Sequence, residues 1–202
     1  MSSYSLLSIG DSYTIGENVL ANENFPNQTV QLLKKAGWDF ENPEIVAKTG
    51  WTTDELQQAI NDHEFKPNYD FVTILIGVNN QYRGRSVENY RPEFDSLLKQ
   101  AIKFSGGKAD HVIVLSIPDW GVTPFANDRD RNKIAKEIDE YNVVNKEISS
   151  AYAVNYVDIT PGTRESKNDI SLLAADGLHP SAKEYERWAE KVSAIIQAKI
   201  TY

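Results

Sequence analysis

The chain has 202 residues, of which 41% are hydrophobic, so it is long enough for one well-buried core and short for two. We therefore expect a single domain over residues 1–202. Its formal net charge of -8 argues against general binding to nucleic acid or anionic membranes, and the absence of cysteine excludes disulfides and thiolate metal sites.

The N-terminus carries no recognisable targeting signal. Residues 1–9 contain no basic segment followed by a long apolar stretch. No part of the chain approaches the ~18 consecutive apolar residues that span a bilayer. The sequence as given predicts a cytoplasmic protein without stable membrane insertion. A secreted or periplasmic protein whose signal peptide had been removed would have the same sequence.

Short apolar runs rich in branched residues alternate along the chain with segments of helical periodicity, which is typical of a parallel sheet. The predicted strands are residues 5–10, 44–49, 71–77, 111–117 and 154–159. The predicted helices between and after them are residues 26–35, 53–60, 90–104, 131–152 and 181–199. At the start of the last helix, Ser181 and Glu184 have the spacing of a capping box. We expect an α/β fold with a five-stranded parallel sheet.

Polar loops follow the predicted strands, at the edge where open parallel sheets bind their ligands. Five loops should meet there, and they are Gly10-Asp11-Ser12, Thr49-Gly50-Trp51, Gly77-Val78-Asn79-Asn80, Ile117-Pro118-Asp119 and Asp176-Gly177-Leu178-His179. The third of these loops is followed by Arg83 and Arg85, which either hold a carboxylate or phosphate of a substrate or are simply solvated.

Among these loops are the residue types needed for nucleophilic catalysis by serine. A serine hydroxyl becomes a nucleophile when an imidazole takes its proton and a carboxylate orients that imidazole. Ser12, His179 and Asp176 supply these three groups. The reaction also needs donors for an oxyanion. The backbone N–H groups of Ser12 and Gly50 and the side-chain amide of Asn79 are the candidate donors.

Four ordered blocks of the sequence resemble those of the SGNH hydrolases, also called GDSL-like esterases and lipases. The blocks are Gly10-Asp11-Ser12-Tyr13, Gly50, Gly77-Val78-Asn79-Asn80 and Asp176-Gly177-Leu178-His179. The resemblance implies a flavodoxin-like, three-layer α/β/α sandwich that hydrolyses carboxylic esters with no metal or other cofactor. It also implies that Ser12 is the nucleophile and an oxyanion donor with Gly50 and Asn79, that His179 is the base, and that Asp176 orients it.

Two positions differ from the family pattern. Asn80 stands where aspartate is usual, so an amide must make any hydrogen bond that a carboxylate would accept there. Tyr13 stands where leucine is common, and it either packs beneath the serine turn or lines the substrate site. The candidate substrate-binding residues are Asp11, Tyr13, Trp51, Asn80, Tyr82 and Trp120.

The expected partner is a small-molecule ester with a small or medium acyl group, including acetylated carbohydrates and lysolipids, cleaved through an acyl-serine intermediate. Two alternatives stay open from the sequence. One is an O-acyltransferase in which a sugar or alcohol replaces water at the same serine. The other is a catalytically weak domain that binds an acylated glycan or lipid, which Asn80 favours. The sequence makes no prediction of oligomeric state.

Overall fold

A computed structural model describes residues 3–200, and its centre is a five-stranded parallel sheet. The strands are β1 (Leu6–Gly10), β2 (Glu44–Ala47), β3 (Phe71–Leu75), β4 (Val112–Leu115) and β5 (Asn155–Val157). Across the sheet they lie in the order β2-β1-β3-β4-β5, and every neighbouring pair is parallel. This is the strand order of flavodoxin-like doubly wound folds.

The five predicted helices are present, with ends that differ by at most three residues from the predicted ones. They are α2 (Phe25–Lys35), α3 (Thr53–Asp62), α5 (Val87–Phe104), α6 (Arg131–Ala151) and α8 (Ala182–Ile200). Three short helices were not predicted, and they are α1 (Ser12–Ile15), α4 (Val78–Tyr82) and α7 (Thr160–Thr163). Each short helix follows a strand, where it turns the chain at the edge of the sheet. Within residues 3–200, no helix combines the length and apolar character needed to cross a membrane.

The helices cover both faces of the sheet, which confirms the predicted three-layer α/β/α sandwich. Helix α2 packs against α8 in one layer, while α5 packs against both α3 and α6 in the other. All residues of β1, β3 and β4 are buried, whereas the edge strands β2 and β5 are partly exposed. Strands covered on both faces are near-continuous apolar runs rather than alternating ones. The three central strands fit this pattern except for Ser8 and Thr73, and the Thr73 hydroxyl donates to the Ser8 hydroxyl at 2.7 Å.

All five strands are shorter than predicted, because local turns and side-chain contacts end the ladders early. Strand β3 stops at Leu75, since Gly77 with a φ of 125° turns the chain into α4. The N–H of Ile117 donates to the Asn142 side chain at 2.7 Å, beyond the end of β4. The N–H of Val154 donates to the carbonyl of Ser149 at 2.9 Å, so β5 begins one residue later.

The predicted capping box at the start of α8 is only half formed. The N–H of Glu184 lies 3.4 Å from the Ser181 Oγ, as a capping box requires. The Glu184 carboxylate, however, accepts hydrogen bonds from the Trp188 indole at 2.8 Å and from Arg187 at 2.9 Å. The N–H of Ser181 donates instead to the carbonyl of Leu172. Glu184 therefore supports the packing of α8 rather than its N-terminus.

Candidate active site

The turn that presents Ser12 is formed by the junction of β1 and α1. The Asp11 side chain caps α1 by accepting the N–H of Tyr13 at 3.0 Å. Ser12 is the first residue of α1, so its own N–H has no partner within the helix. Gly10 is required by close approach, since a Cβ there would lie 2.2 Å from the Thr14 Oγ1. The turn thus leaves both the hydroxyl and the N–H of Ser12 available for chemistry.

The three residues predicted to act together lie in one hydrogen-bonded row. The Nε2 of His179 is 3.0 Å from the Oγ of Ser12, which is 167 residues away in sequence. The Nδ1 of His179 is 2.5 Å from the Oδ2 of Asp176. An ionised carboxylate only accepts hydrogen bonds, so Nδ1 carries the proton and Nε2 is left to accept the serine hydroxyl. This is the tautomer needed for a general base.

The Asp176 carboxylate is held on both of its oxygens. Its Oδ1 accepts the N–H groups of Leu178 and His179, each at 3.0 Å. Burial acts to raise the pKa of Asp176, but the hydrogen bond from the His179 side chain and those from the two backbone N–H groups outweigh it and lower the pKa. Asp176 is therefore ionised at neutral pH and fixed relative to His179.

A fourth residue, Asn18, touches this row and was missed by the sequence analysis. Its Nδ2 donates to the Oδ2 of Asp176 at 2.7 Å, across 158 residues of sequence. Asn18 has a φ of 65°, a left-handed conformation that asparagine tolerates better than most residues. This preference is a weak local signal for a turn and carries no information about Asp176. The contact exists because the loop after α1 packs beside the loop before α8.

The candidate oxyanion donors Gly50 and Asn79 line the same cavity as Ser12 and His179. Gly50 has a φ of 86°, which favours glycine. One N–H of the Asn79 amide donates to the carbonyl of Trp51 at 2.9 Å, which orients the group and leaves its second N–H. Arg83 donates to the carbonyl of Gly50 at 2.7 Å. The loop bearing Gly50 is therefore held from two sides.

Asn80 lies beneath the site and does not reach its surface. Its Oδ1 accepts the N–H of Thr53 at 3.0 Å, and its Nδ2 donates to the Thr53 Oγ1 at 2.6 Å. The side chain is fully buried. The amide thus provides the acceptor that a carboxylate would provide and adds a donor, tying α4 to the start of α3. The candidate role of Asn80 in substrate contact is wrong because burial prevents it.

The cavity beside Ser12 has a volume of 190 Å³ and an aromatic wall. Tyr82, Trp120 and Phe125 form this wall, with ring centroids 5.4 Å apart for Tyr82 and Trp120 and 6.0 Å apart for Trp120 and Phe125. Tyr13 also lines the cavity, as do the previously unassigned Thr49, Val78 and Leu178. Three of the six candidate substrate-binding residues, Tyr13, Tyr82 and Trp120, therefore line the cavity beside Ser12.

Two other candidates for substrate contact lie elsewhere, as do the two arginines. Asp11 is fully buried, and Trp51 packs against the hydrophobic core rather than lining the cavity. The guanidinium of Arg85 lies 2.5 Å from Asp54, and that of Arg83 lies 3.2 Å from Glu55. These ion pairs connect the end of α4 to α3.

Asp11 is an ionisable group held in an apolar setting. Burial raises the pKa of its carboxyl to about 7, partly offset by backbone hydrogen bonds, of which the first is that from Tyr13. Its Oδ2 has no hydrogen-bond partner among residues 3–200. Neutral Asp11 is therefore favoured in the folded state up to about pH 7, whereas an unfolded aspartate ionises near pH 4.

We expect the stability of Asp11→Asn relative to the unmodified chain to increase with pH. Because the pKa of Asp11 is about 7 in the folded state and near 4 in the unfolded state, the folded state loses roughly 4 kcal/mol of stability as the pH rises between these values. Asparagine keeps the cap on Tyr13 and cannot ionise. Urea unfolding at pH 4.5 and pH 8 measures the difference. A difference that does not change with pH would contradict the prediction.

Comparison with known proteins gives the following matches. The model of the GDSL-like Lipase/Acylhydrolase family matches residues 8–187. A solved structure named TesA superposes with a TM-score of 0.75 at 17% identity, covering 96% of this chain and 98% of that one. The lipase/acylhydrolase from Enterococcus faecalis gives a TM-score of 0.73 at 21% identity over 97% and 96% of the two chains. The acetylxylan esterase Axe2 from Geobacillus stearothermophilus superposes with a TM-score of 0.73 at 21% sequence identity, covering 96% of this chain and 94% of that one. No curated protein sequence matches the chain.

Proposed function

We propose that this chain, which belongs to the GDSL-like lipase/acylhydrolase family, is a serine esterase that works through an acyl intermediate on Ser12. The observation that carries the proposal is the continuous row from Asp176 through His179 to Ser12, with contacts of 2.5 and 3.0 Å. Because the site draws on residues from both ends of the sequence, we propose that the chain functions as one domain.

In the first half of the reaction, Ser12 attacks the ester carbonyl as Nε2 of His179 takes the hydroxyl proton. A bond forms between Oγ and the carbonyl carbon, and the carbonyl electron pair moves onto its oxygen. The resulting imidazolium is stabilised by ionised Asp176. When the tetrahedral intermediate collapses, the bond to the alcohol oxygen breaks and His179 returns its proton to that oxygen. The alcohol leaves and the acyl group stays on Ser12.

In the second half, water takes the place of the alcohol. His179 removes a proton from the water as its oxygen attacks the acyl carbon. The second tetrahedral intermediate collapses by breaking the bond to Oγ, and His179 gives the proton back to Ser12. The products are the carboxylic acid and the original enzyme. All proton transfers in this scheme pass through one nitrogen, the Nε2 of His179.

The N–H groups of Ser12 and Gly50 and the free N–H of Asn79 are proposed to bind the oxyanion in both intermediates. Donors that are already oriented before reaction stabilise developing charge without the cost of reorganising. The hydrogen bond from Asn79 to the carbonyl of Trp51 and that from Arg83 to the carbonyl of Gly50 supply this orientation.

The acyl group is proposed to be short. The cavity at Ser12 measures 190 Å³, below the ~300–1,000 Å³ of sites for drug-sized ligands. Its aromatic wall suits an apolar group of limited length. The alternative of a catalytically weak binding domain depended on the amide at Asn80. The two hydrogen bonds between Asn80 and Thr53 supply a structural reason for that amide, so Asn80 no longer favours this alternative.

We expect a fluorophosphonate probe to form one covalent adduct, at Ser12, because only an activated serine attacks phosphorus at a useful rate. Intact-mass measurement followed by peptide mapping locates the adduct. Ser12→Ala is expected to remain unlabelled, and Ser8→Ala, which removes a buried hydroxyl of β1, is expected to label normally provided that it folds. An unlabelled parent chain, or an adduct elsewhere, would contradict the proposal.

A further inference from the structure

Two further cavities extend from the catalytic cavity along the junction of α4 and α6. The nearer one has a volume of 280 Å³ and shares Tyr82 and Trp120 with the catalytic cavity. The farther one has a volume of 550 Å³ and shares Gln81, Gly84 and Glu137 with the nearer one. We call these two cavities the α4–α6 groove, which is lined by Trp120 and by residues within 81–91 and 129–144. The groove leads away from Ser12 on the far side of Tyr82.

The groove is lined by several charged side chains, and their formal charges cancel. Four cationic side chains line it, and they are Arg85, Arg91, Arg129 and Lys133. Four carboxylates also line it, and they are Glu88, Asp130, Glu137 and Glu140. The chain as a whole carries a formal charge of -8, so this balance is a property of the groove and not of the surface in general. A ligand with a large net charge of either sign would meet repulsion from half of the lining.

The chemistry of the lining also argues against a hydrocarbon chain. Covering charged side chains with methylene groups removes their water without replacing its hydrogen bonds, which is costly. Donors and acceptors side by side suit a ligand with many hydroxyl groups, since each hydroxyl both donates and accepts. The groove also has apolar surface, since Tyr82 is 47% exposed and Val143 is 54% exposed. A pyranose ring offers both hydroxyl edges and a C–H face for such surfaces.

From this geometry we infer that the α4–α6 groove binds a neutral oligosaccharide chain and presents an ester of that chain to Ser12. The inference rests on the proposed ester hydrolysis and adds the class of the alcohol. The short acyl group occupies the 190 Å³ cavity at Ser12, and the sugar units that carry and follow it lie across Tyr82 and along α6. The acyl group thus lies in the aromatic cavity at Ser12, and the sugar units lie in the groove lined by charged side chains.

The first test compares substrates that share an acyl group and differ in the alcohol. The unmodified chain is assayed with p-nitrophenyl acetate, partly acetylated xylose, and partly acetylated xylotetraose and cellotetraose. Each hydrogen bond gained in the groove is expected to multiply kcat/KM about 2- to 10-fold. We therefore expect kcat/KM per acetyl group to rise at least about tenfold from the monosaccharide to one of the tetrasaccharides.

The second test uses a matched pair of variants at the farther cavity. Arg91 lines that cavity and pairs with Glu147 at 2.6 Å, whereas Glu147 does not line it. Arg91→Ala and Glu147→Ala break the same exposed ion pair, which contributes little to stability. We expect Arg91→Ala to raise KM about fivefold for the preferred tetrasaccharide and to leave p-nitrophenyl acetate unchanged. Glu147→Ala should leave both substrates unchanged.

The outcomes separate this inference from the function on which it rests. Equal kcat/KM for acetylated xylose and both tetrasaccharides, a preference for p-nitrophenyl decanoate over the acetate, or an unchanged KM in Arg91→Ala would overturn the sugar assignment. In each of those cases, turnover of p-nitrophenyl acetate and labelling of Ser12 would leave the esterase proposal intact. Absence of both turnover and labelling would instead overturn the esterase proposal.

Discussion

Replacing His179 with alanine is expected to lower kcat/KM on p-nitrophenyl acetate by about 10⁴- to 10⁶-fold, the size of loss seen when a member of a serine triad is removed. The physical reason is that the Nε2 of His179 lies 3.0 Å from the Oγ of Ser12 and accepts its proton. The loss should fall on kcat, because proton transfer belongs to the chemical step. Steady-state kinetics at pH 8 measures it.

The chain offers a matched control, since it contains only two other histidines, His63 and His111. His63 lies on the surface, 2.8 Å from Glu44 and away from the cavity at Ser12. His63→Ala should therefore retain full activity. If His179→Ala kept more than a tenth of the parent activity while its circular dichroism matched that of the parent, His179 would not be the general base.

Replacing Asn79 with alanine is expected to reduce kcat by about 10²- to 10³-fold with a much smaller change in KM, as for other single oxyanion donors. The Nδ2 of Asn79 is already oriented by the carbonyl of Trp51. It is proposed to bind charge that develops only in the transition state, so its loss should leave ground-state binding of the ester nearly intact.

Asn79 also supports the loop that holds Gly50, so a second variant is needed to separate the two roles. Asn79→Asp keeps the size of the side chain and places a carboxylate where the oxyanion would form. We expect it to lose at least as much kcat as Asn79→Ala. A variant that retained parent kcat, with a melting temperature close to that of the parent, would exclude Asn79 as a donor.

Much of the fold follows from local sequence patterns. Apolar runs and helical periodicity predicted the five strands and five long helices, because these patterns reflect the burial of one stretch of chain at a time. The carboxyl ends of β2, β3, β4 and β5 were each predicted two residues too late, whereas that of β1 was predicted correctly. Those ends depend on hydrogen bonds such as that from Ile117 to Asn142, which is 25 residues away and on another element.

For the site, the sequence determined which groups could perform the chemistry. Asp176 and His179 are identified by residue type and by their place in the polar loop before the last helix. Ser12 follows β1, and the parallel topology brings such positions to one edge of the sheet. Gly50 and Asn79 followed from the same argument. These candidates could be named from the sequence because the chemistry open to a position depends first on its residue type.

Only the tertiary structure decided which neighbours those groups have. The contact of Asn18 with Asp176, the burial of Asp11 and Asn80, the placement of Phe125 in the aromatic wall, and the groove beside α6 all depend on packing between elements far apart in the chain. Residue type is encoded at each position, whereas burial and long-range contact arise from the whole arrangement of layers. The candidate catalytic groups could therefore be named from the sequence, and the shape of the cavity and groove beside them could not.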